Sequence, residues 1–322
     1  MLSVVAIGRN ESLNIPRLAE SIQALADTCD FPVESIYIDS ASTDNSVALA
    51  RERFDKVRVL ESSEHLCASA GRFAGTLEAR YPWILYLDAD MEICSEFFPV
   101  VSQIEDLEPY FVGLIGLYIH RLDNGASTIQ SFTRLVNRGV GATQFGGAVI
   151  LNRDAVIRAG NWDPSIYGKE EMELYVRLGD GEQVVKFVTL PMIYHYSEYY
   201  SRVELVLRLL YPSAGLGKVF WGYGQSLRAL AIKGNIFSLM RLDYEPYLFW
   251  LGMILVTITG LLVSWKWAAA LAACAVAGFS LWLRPGSLIR YLTLPLSMVP
   301  GWFKYFPWFR PEIEEWAGRH SA

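Results

Sequence analysis

Four short apolar runs, LSVVAIG (2–8), VESIYID (33–39), VRVLES (57–62) and WILYLD (83–88), are separated by stretches of helical character. PRLAESIQAL (16–25) begins with Pro16, whose fixed φ and missing N–H suit a first helical turn. SVALARERF (46–54) and SAGRFAGTLEARY (69–81) supply two more helices. Strands alternating with helices at this spacing argue for parallel pairing through right-handed crossovers. The expected fold is therefore α/β with a Rossmann-like, mostly parallel sheet. In such sheets ligands bind at the carboxyl ends of the strands. Arg9-Asn10-Glu11, Asp39 and the pair Asp88 and Asp90 all fall at those ends.

The stretch LYLDADME (85–92) drives an apolar run into two aspartates separated by one alanine. If the strand keeps its period of two, both carboxylates share a face. Like charges so close repel unless a cation lies between them or one keeps its proton. The competing reading is a polar strand end that happens to hold acids.

Beyond Tyr110 the pattern is mixed. FVGLIGLYIH (111–120) and GGAVILN (146–152) read as strands, and RDAVIRAG (153–160) as a short helix stopped by Gly160. EMELYVRL (171–178) reads as helical and VVKFVTLPMIYHY (184–196) as extended.

Charge divides the chain unevenly. Residues 201–322 carry 12 Lys/Arg against 6 Asp/Glu, which leaves 16 against 28 for residues 1–200. No basic stripe interleaved with aromatics occurs in the acidic front half, so nucleic acid is not expected as a partner. Cys29, Cys67, Cys94 and Cys274 show neither a C-x-x-C spacing nor a nearby His at zinc-finger spacing, and are expected to be reduced thiols. Met1 leads straight into LSVVAIG without a basic leader, so the N-terminus is expected to start and stay in the cytosol.

The back half carries YLFWLGMILVTITGLLVSW (247–265), 19 residues without a charge, and WAAALAACAVAGFSLWL (267–283), 17 more. A bilayer crossing takes about 20 apolar residues, so the pair predicts a transmembrane hairpin; two buried core helices are the alternative. Trp250, Trp265, Trp267 and Trp282 suit an aromatic belt, and Arg284, Arg290, Lys304 and Arg310 suit a positive cytosolic side. Arg202, Arg208, Lys218, Arg228, Lys233 and Arg241 stand among Leu, Phe and Tyr, which predicts amphipathic helices on an anionic leaflet over 200–245. The expected organisation is a catalytic domain over 1–199, interfacial helices over 200–245, and a hairpin with an interfacial tail over 246–322.

Five pieces of the front half resemble, in order, those of a family 2 glycosyltransferase of the GT-A fold. VVAIGRNES resembles the first strand and nucleotide loop, and YIDSASTDNSVALAR the second strand with its acidic turn. SAGRFAGTLEA resembles the helix whose arginine faces the diphosphate, and LYLDADME the D-x-D motif. GGAVILNRDAVIRAGNWDPSIYGKEEMELYVRL resembles the acceptor-side block that ends in a Glu-Asp pair.

The resemblance implies an inverting enzyme that uses a nucleoside diphosphate sugar, with UDP-sugar the commonest choice. It implies Mg²⁺ or Mn²⁺ at Asp88 and Asp90, with Asp90 the first ligand and Asp88 also touching the nucleotide. Arg9 and Glu11 would line the nucleotide loop, Asp39 would contact base or ribose, and Arg72 would meet phosphate oxygens. For Asp39 and Arg72 a helix cap and a surface ion pair are the competing readings. Glu170 and Glu171 stand where the family has Glu-Asp, so Glu171 falls at the position of the base, one methylene longer than the family's Asp. Glu173 is the runner-up, and a solvated acidic helix start the bland reading. His195 stands where many such enzymes place a His on the metal or diphosphate; an ordinary half-buried residue is the alternative.

QSLRA (225–229) resembles the Q-x-x-R-W motif of processive synthases, but Ala229 replaces the tryptophan, and GLGKVF (215–220) lacks the spacing of a phosphate loop. The expected enzyme adds one sugar per encounter to a lipid-linked, polyprenyl-diphosphate acceptor at the cytosolic face of a bacterial inner membrane, in contact with its lipids. Rival readings are a polyprenyl-phosphate sugar synthase, a sugar nucleotidyltransferase and a non-catalytic scaffold. The sequence leaves the oligomeric state open.

Overall fold

The structure, a computed structural model, describes residues 1–63, 65–130, 141–142, 145–179, 184–197, 221–238, 251–252, 254–255, 258, 302–307 and 309–313. Its first half follows the expected alternation: β1 (Leu2–Gly8), α1 (Ile15–Thr28), β2 (Val33–Asp39), α2 (Ser46–Arg53), β3 (Lys56–Val59), α3 (Ala68–Glu78) and β4 (Trp83–Asp88). Strands β3, β2, β1 and β4 lie side by side and parallel. The residues of β1, β2 and β4 are largely buried on both faces, which is why they read as unbroken apolar runs.

Register decides where the functional residues land. Gly8 of β1 pairs with Asp39 of β2, and Ile7 pairs with Asp88 of β4. The chain therefore leaves all three strands at one edge of the sheet. Helix α3 lies close on β1 because Gly71 and Gly75, one turn apart, face Ile7 and Val5; a Cβ at Gly75 would overlap Val5. That close seat carries Arg72 into the interior.

The second half corrects the expectation of a mostly parallel sheet. It adds β5 (Met91–Ile93), a short helix α4 (Phe98–Ser102), β6 (Gly113–Leu122), β7 (Ser127–Gln130), β8 (Gly141–Ala142), β9 (Val149–Asn152), α5 (Arg153–Arg158), α6 (Glu170–Gly179) and β10 (Val185–Ser197). Strand β9 inserts antiparallel between β4 and β6, β10 runs parallel to β6, and β5, β7 and β8 pair antiparallel. The sheet is mixed because the chain returns to β4 from its carboxyl end. Strand β10 slips register on β6 around Pro191, which has no N–H to give the ladder.

Helix α7 (Gly222–Ile232) falls in the stretch expected to lie along a membrane, yet it folds against α6. Leu230 joins Met172 and Val176 in one small core, and Ala229 joins Ile166 and Tyr305 in another. The approach is backbone on backbone: a Cβ at Gly222 would overlap Gly168. Two charges seal it, Lys233 Nζ reaching Asp163 at 2.7 Å and Glu173 at 2.9 Å. No helix among the described residues is long and apolar enough to cross a membrane. The expected hairpin, about 247–265 and 267–283, lies almost wholly outside the described residues.

Candidate active site

The carboxyl ends of β1, β2 and β4 open on a cleft of about 280 Å³, lined by Arg9, Glu11, Ser40, Asp88 and Asp90, with Leu66, Cys67 and Ala68 on its far wall. Its near wall is two turns laced together. Asn10 N donates to Ser42 Oγ at 2.8 Å, Thr43 N to Asn10 Oδ1 at 2.8 Å, and Glu11 N to Ser46 Oγ at 2.8 Å. Asn10 and Ala41 take left-handed φ of 59° and 58° in these turns. Such conformations persist where the surroundings over-determine them, often at functional sites.

Four of the expected residues, Arg9, Glu11, Asp88 and Asp90, do line the cleft. Asp90 Oδ2 lies 3.1 Å from His195 Nε2, while Asp90 Oδ1 is buried without a hydrogen-bond partner. Burial raises the pKa of Glu11, and the charges of Asp90 and Asp88 add to it against the Asn14 hydrogen bond. Asp88 is likewise raised by burial, with Arg72 opposing and Asp90 and Glu171 adding. Carboxyls that raise one another make a favourable place for a cation.

His195 lies at the site, and its partner is one the sequence does not announce. His195 pairs in register with His120, and their Nδ1 atoms stand 2.9 Å apart. His120 Nε2 lies 2.6 Å from Gln130 Oε1. The row Gln130–His120–His195–Asp90 fixes the His195 ring. Burial works against a charged His195, but Asp90, Asp88 and Glu11 outweigh it and raise its pKa. His120 stands beside Arg121 near the end of the strand GLYIHRL, and no sequence signal marks it apart from its match to His195 across β6 and β10.

Two expectations need correction. Arg72 does not point into the open cleft: it is 1% exposed, and its Nη1 and Nη2 donate to Glu170 Oε1 at 2.8 Å and Asp88 Oδ1 at 2.6 Å. Two carboxylates claim the fork that the resemblance assigns to phosphate. Asp39 is fully buried, and Ser42 donates to it through N at 2.7 Å and Oγ at 2.5 Å, so its oxygens hold the turn. Ser40 lines the cleft in its place.

The acidic trio divides three ways. Glu170 is buried beside Arg72 with Oε2 unpartnered, and burial, with the charge of Glu171 adding, pushes its pKa up to about 8. Glu171 is half-buried in the first turn of α6, its charge raising Asp88 and Glu170. Glu173 is ruled out as a base by its bonds: Arg177 forks onto it at 2.7 and 2.6 Å and Lys233 adds a third. Lys169, just before the helix, takes φ of 64°, a strained conformation for its type.

Residues 3–137 match the family model described as Glycosyl transferase family 2. That stretch, rather less than half of the chain, is similar to the family 2 glycosyltransferases. The comparison with curated proteins finds no match. Among solved structures the chain resembles S. aureus TarS 1–349 in complex with UDP-GlcNAc, with 15% identity and a TM-score of 0.53 over 94% of this chain and 89% of the other. It also resembles the mannosyltransferase PcManGT from Pyrobaculum calidifontis in complex with GDP-Man and Mn²⁺, with 15% identity and a TM-score of 0.52 over 94% and 86%. These likenesses show the shared GT-A fold.

The residues present fit a divalent ion. Asp90 offers an unpartnered oxygen in a cleft that it shares with Asp88 and Glu11. Among the described residues no three His, Cys, Asp or Glu side chains gather as a ready metal site. An ion held here would complete its shell with oxygens from water and a bound diphosphate, as Mg²⁺ commonly does.

Proposed function

We propose that this chain moves a sugar, with inversion, from a nucleoside diphosphate sugar to a lipid-linked acceptor at the inner face of a bacterial cytoplasmic membrane. The observation that carries the donor half is the unpartnered Asp90 Oδ1 in the cleft beside Asp88, Arg9 and Glu11. Mg²⁺ or Mn²⁺ held by Asp90 and Asp88 supplies charge neutralisation to the leaving diphosphate. His195, fixed by His120, holds Asp90 in place. The complexes of the structural relatives with UDP-GlcNAc and with GDP-Man and Mn²⁺ support a UDP- or GDP-sugar and a divalent ion.

On the acceptor side, inversion needs a base that takes the hydroxyl proton as the oxygen attacks. Glu171 has that role: among the three acids of α6 it alone is neither locked to Arg72 nor locked to Arg177. Its neighbour Glu170 ties the start of α6, through Arg72, to the donor-side Asp88.

The acceptor half rests on the uncharged stretches at 247–283 and on one described face. Leu251, Ile254, Leu255 and Ile258 are helical, at one-face spacing, and each is about half exposed to solvent. An apolar face of this kind suits lipid, which brings polyprenyl-linked acceptors to the site. The decisive test is thermal-shift titration of detergent-purified protein with UDP-, GDP- and dTDP-sugars, with and without Mn²⁺. Bound ligand raises the melting point by linkage. A metal-dependent shift with one nucleotide, lost in Asp90→Asn, upholds the donor site; no shift with any of them rejects it.

A further inference from the structure

The last described stretch of the chain, residues 302–307 and 309–313, straps together the loop that borders the cleft and the loop that leads to α6. At its far end Ile313 forms an antiparallel bridge with Leu60, just beyond β3, and Glu61 N donates to Glu312 O at 2.8 Å. In its middle Phe306 and Phe309 pack on the His65 ring, with centroids 4.9 and 5.3 Å away. The loop held this way runs directly into Leu66, Cys67 and Ala68, the far wall of the cleft.

The same strap grips the loop that leads to the acceptor helix α6. Tyr305, buried, donates its hydroxyl to Asp163 Oδ2 at 2.7 Å, and Ser165 Oγ donates to Phe306 O. The two loops also touch directly, Cys67 Sγ donating to the carbonyls of Pro164 and Ile166, each at 3.3 Å. None of the strap residues lines the cleft.

We propose that the strap is a positioning element of the donor site: it orders loop 61–67 so that the wall at Leu66–Ala68 is formed before the nucleotide arrives. The physical ground is entropy. The described residues of 60–67 form no helix or strand beyond the Leu60 bridge, and ordering each of them costs about 1–2 kcal/mol. The strap supplies the partners that meet this cost in advance, so a ligand does not have to. The inference rests on the nucleotide-sugar reading of the cleft. It makes the chain's C-terminal stretch, which lies beyond the family match at 3–137, part of donor recognition.

The test uses the full-length protein in detergent, with UDP and GDP, each with Mn²⁺, as probes. Calorimetry gives their affinity, and hydrogen exchange follows residues 61–68 alongside strands β1 and β4. In the Phe306→Ala/Phe309→Ala double variant and in His65→Ala, affinity falls on the order of tenfold, the scale that an aromatic ring pair supplies. Loop 61–68 exchanges faster while β1 and β4 stay protected. His65→Phe, which keeps a ring between the two phenylalanines, binds as the wild type does. If the double variant loses protection in β1 and β4 as well, His65→Ala and His65→Phe decide. Wild-type affinity in His65→Ala, or loss of affinity without faster exchange at 61–68, overturns the proposal. Failure of the unaltered protein to bind either nucleotide overturns the donor reading itself, and the strap's role with it.

Discussion

Asp88 and Glu170 share one guanidinium. The first ends β4, the second begins α6, and Arg72 between them bonds both at 2.6 and 2.8 Å. Its Nε is buried without a partner, so the fork is committed to these two groups. The end of β4 and the start of α6 are thereby held in one fixed relation.

Arg72→Met leaves two carboxyls facing a methyl group in the interior. Removing one partner of a buried ion pair typically costs about 3–5 kcal/mol. Urea unfolding of the variant should show a loss of that order, and Arg72→Lys, which can reach one acid but not fork to both, should fall between. A midpoint unchanged in Arg72→Met would show that the bridge contributes nothing to the fold.

Glu170 gives stability a pH dependence whose sign follows from burial. Its folded pKa is pushed up to about 8, above the ordinary carboxylate range, so the folded state holds a proton that the unfolded chain has released. Stability therefore falls as pH rises from that ordinary range to about 8, then levels off. Glu170→Gln removes this share of the slope. Comparing unfolding midpoints at about pH 5.5 and about pH 8.5 in both proteins checks it; equal slopes would refute the assignment.

Glu171→Gln and Glu173→Gln should fail in different ways. The first should keep nucleotide binding and lose about 10²- to 10⁴-fold in turnover, the worth of a general base. The second unpairs Arg177 and Lys233 from a fully buried acid, at about 1.5–3 kcal/mol for each charged hydrogen bond weakened. Its melting point should fall while the folded fraction still turns over. Single-turnover rates and melting curves on both variants separate the two roles.

Gly147→Ala tests the packing around the shared guanidinium. A Cβ there would stand 2.9 Å from Arg72 Nη2 and overlap Asp88 Oδ2. Overpacking of this kind costs about 1–3 kcal/mol, and displacing Asp88 should lower turnover by at least about tenfold. Turnover equal to wild type would mean that Asp88 has room to shift without consequence.

The parallel strands are legible because burial on both faces leaves a plain mark, a continuous apolar run, and β1, β2 and β4 have the bounds their runs suggest. Direction leaves no such mark. Nothing in VILN tells that β9 enters antiparallel, and β5 at 3 residues is too short to show a period. The ends of strands bring Arg9, Glu11, Asp88 and Asp90 to one cleft, as their positions suggest. They cannot say which neighbours will claim an oxygen or a guanidinium, and so Asp39 and Arg72 read as ligand contacts when Ser42 and Glu170 hold them. Helix α7 shows the same limit: QSLRA is legible only against a motif, yet Gln225 and Ser226 are fully buried and bonded to partners far along the chain.

The bonds of Asp163 and Glu173 also set an order of events during synthesis. Asp163 waits for Lys233, 70 residues on, and for Tyr305, 142 residues on, while Glu173 waits for Lys233, 60 residues on. Glu173 meets Arg177 four residues on, so of the two acids it is Asp163 that has no cation to meet until Lys233 has emerged. The contacts of Asp163 are thus completed last, once the residues around Tyr305 have emerged.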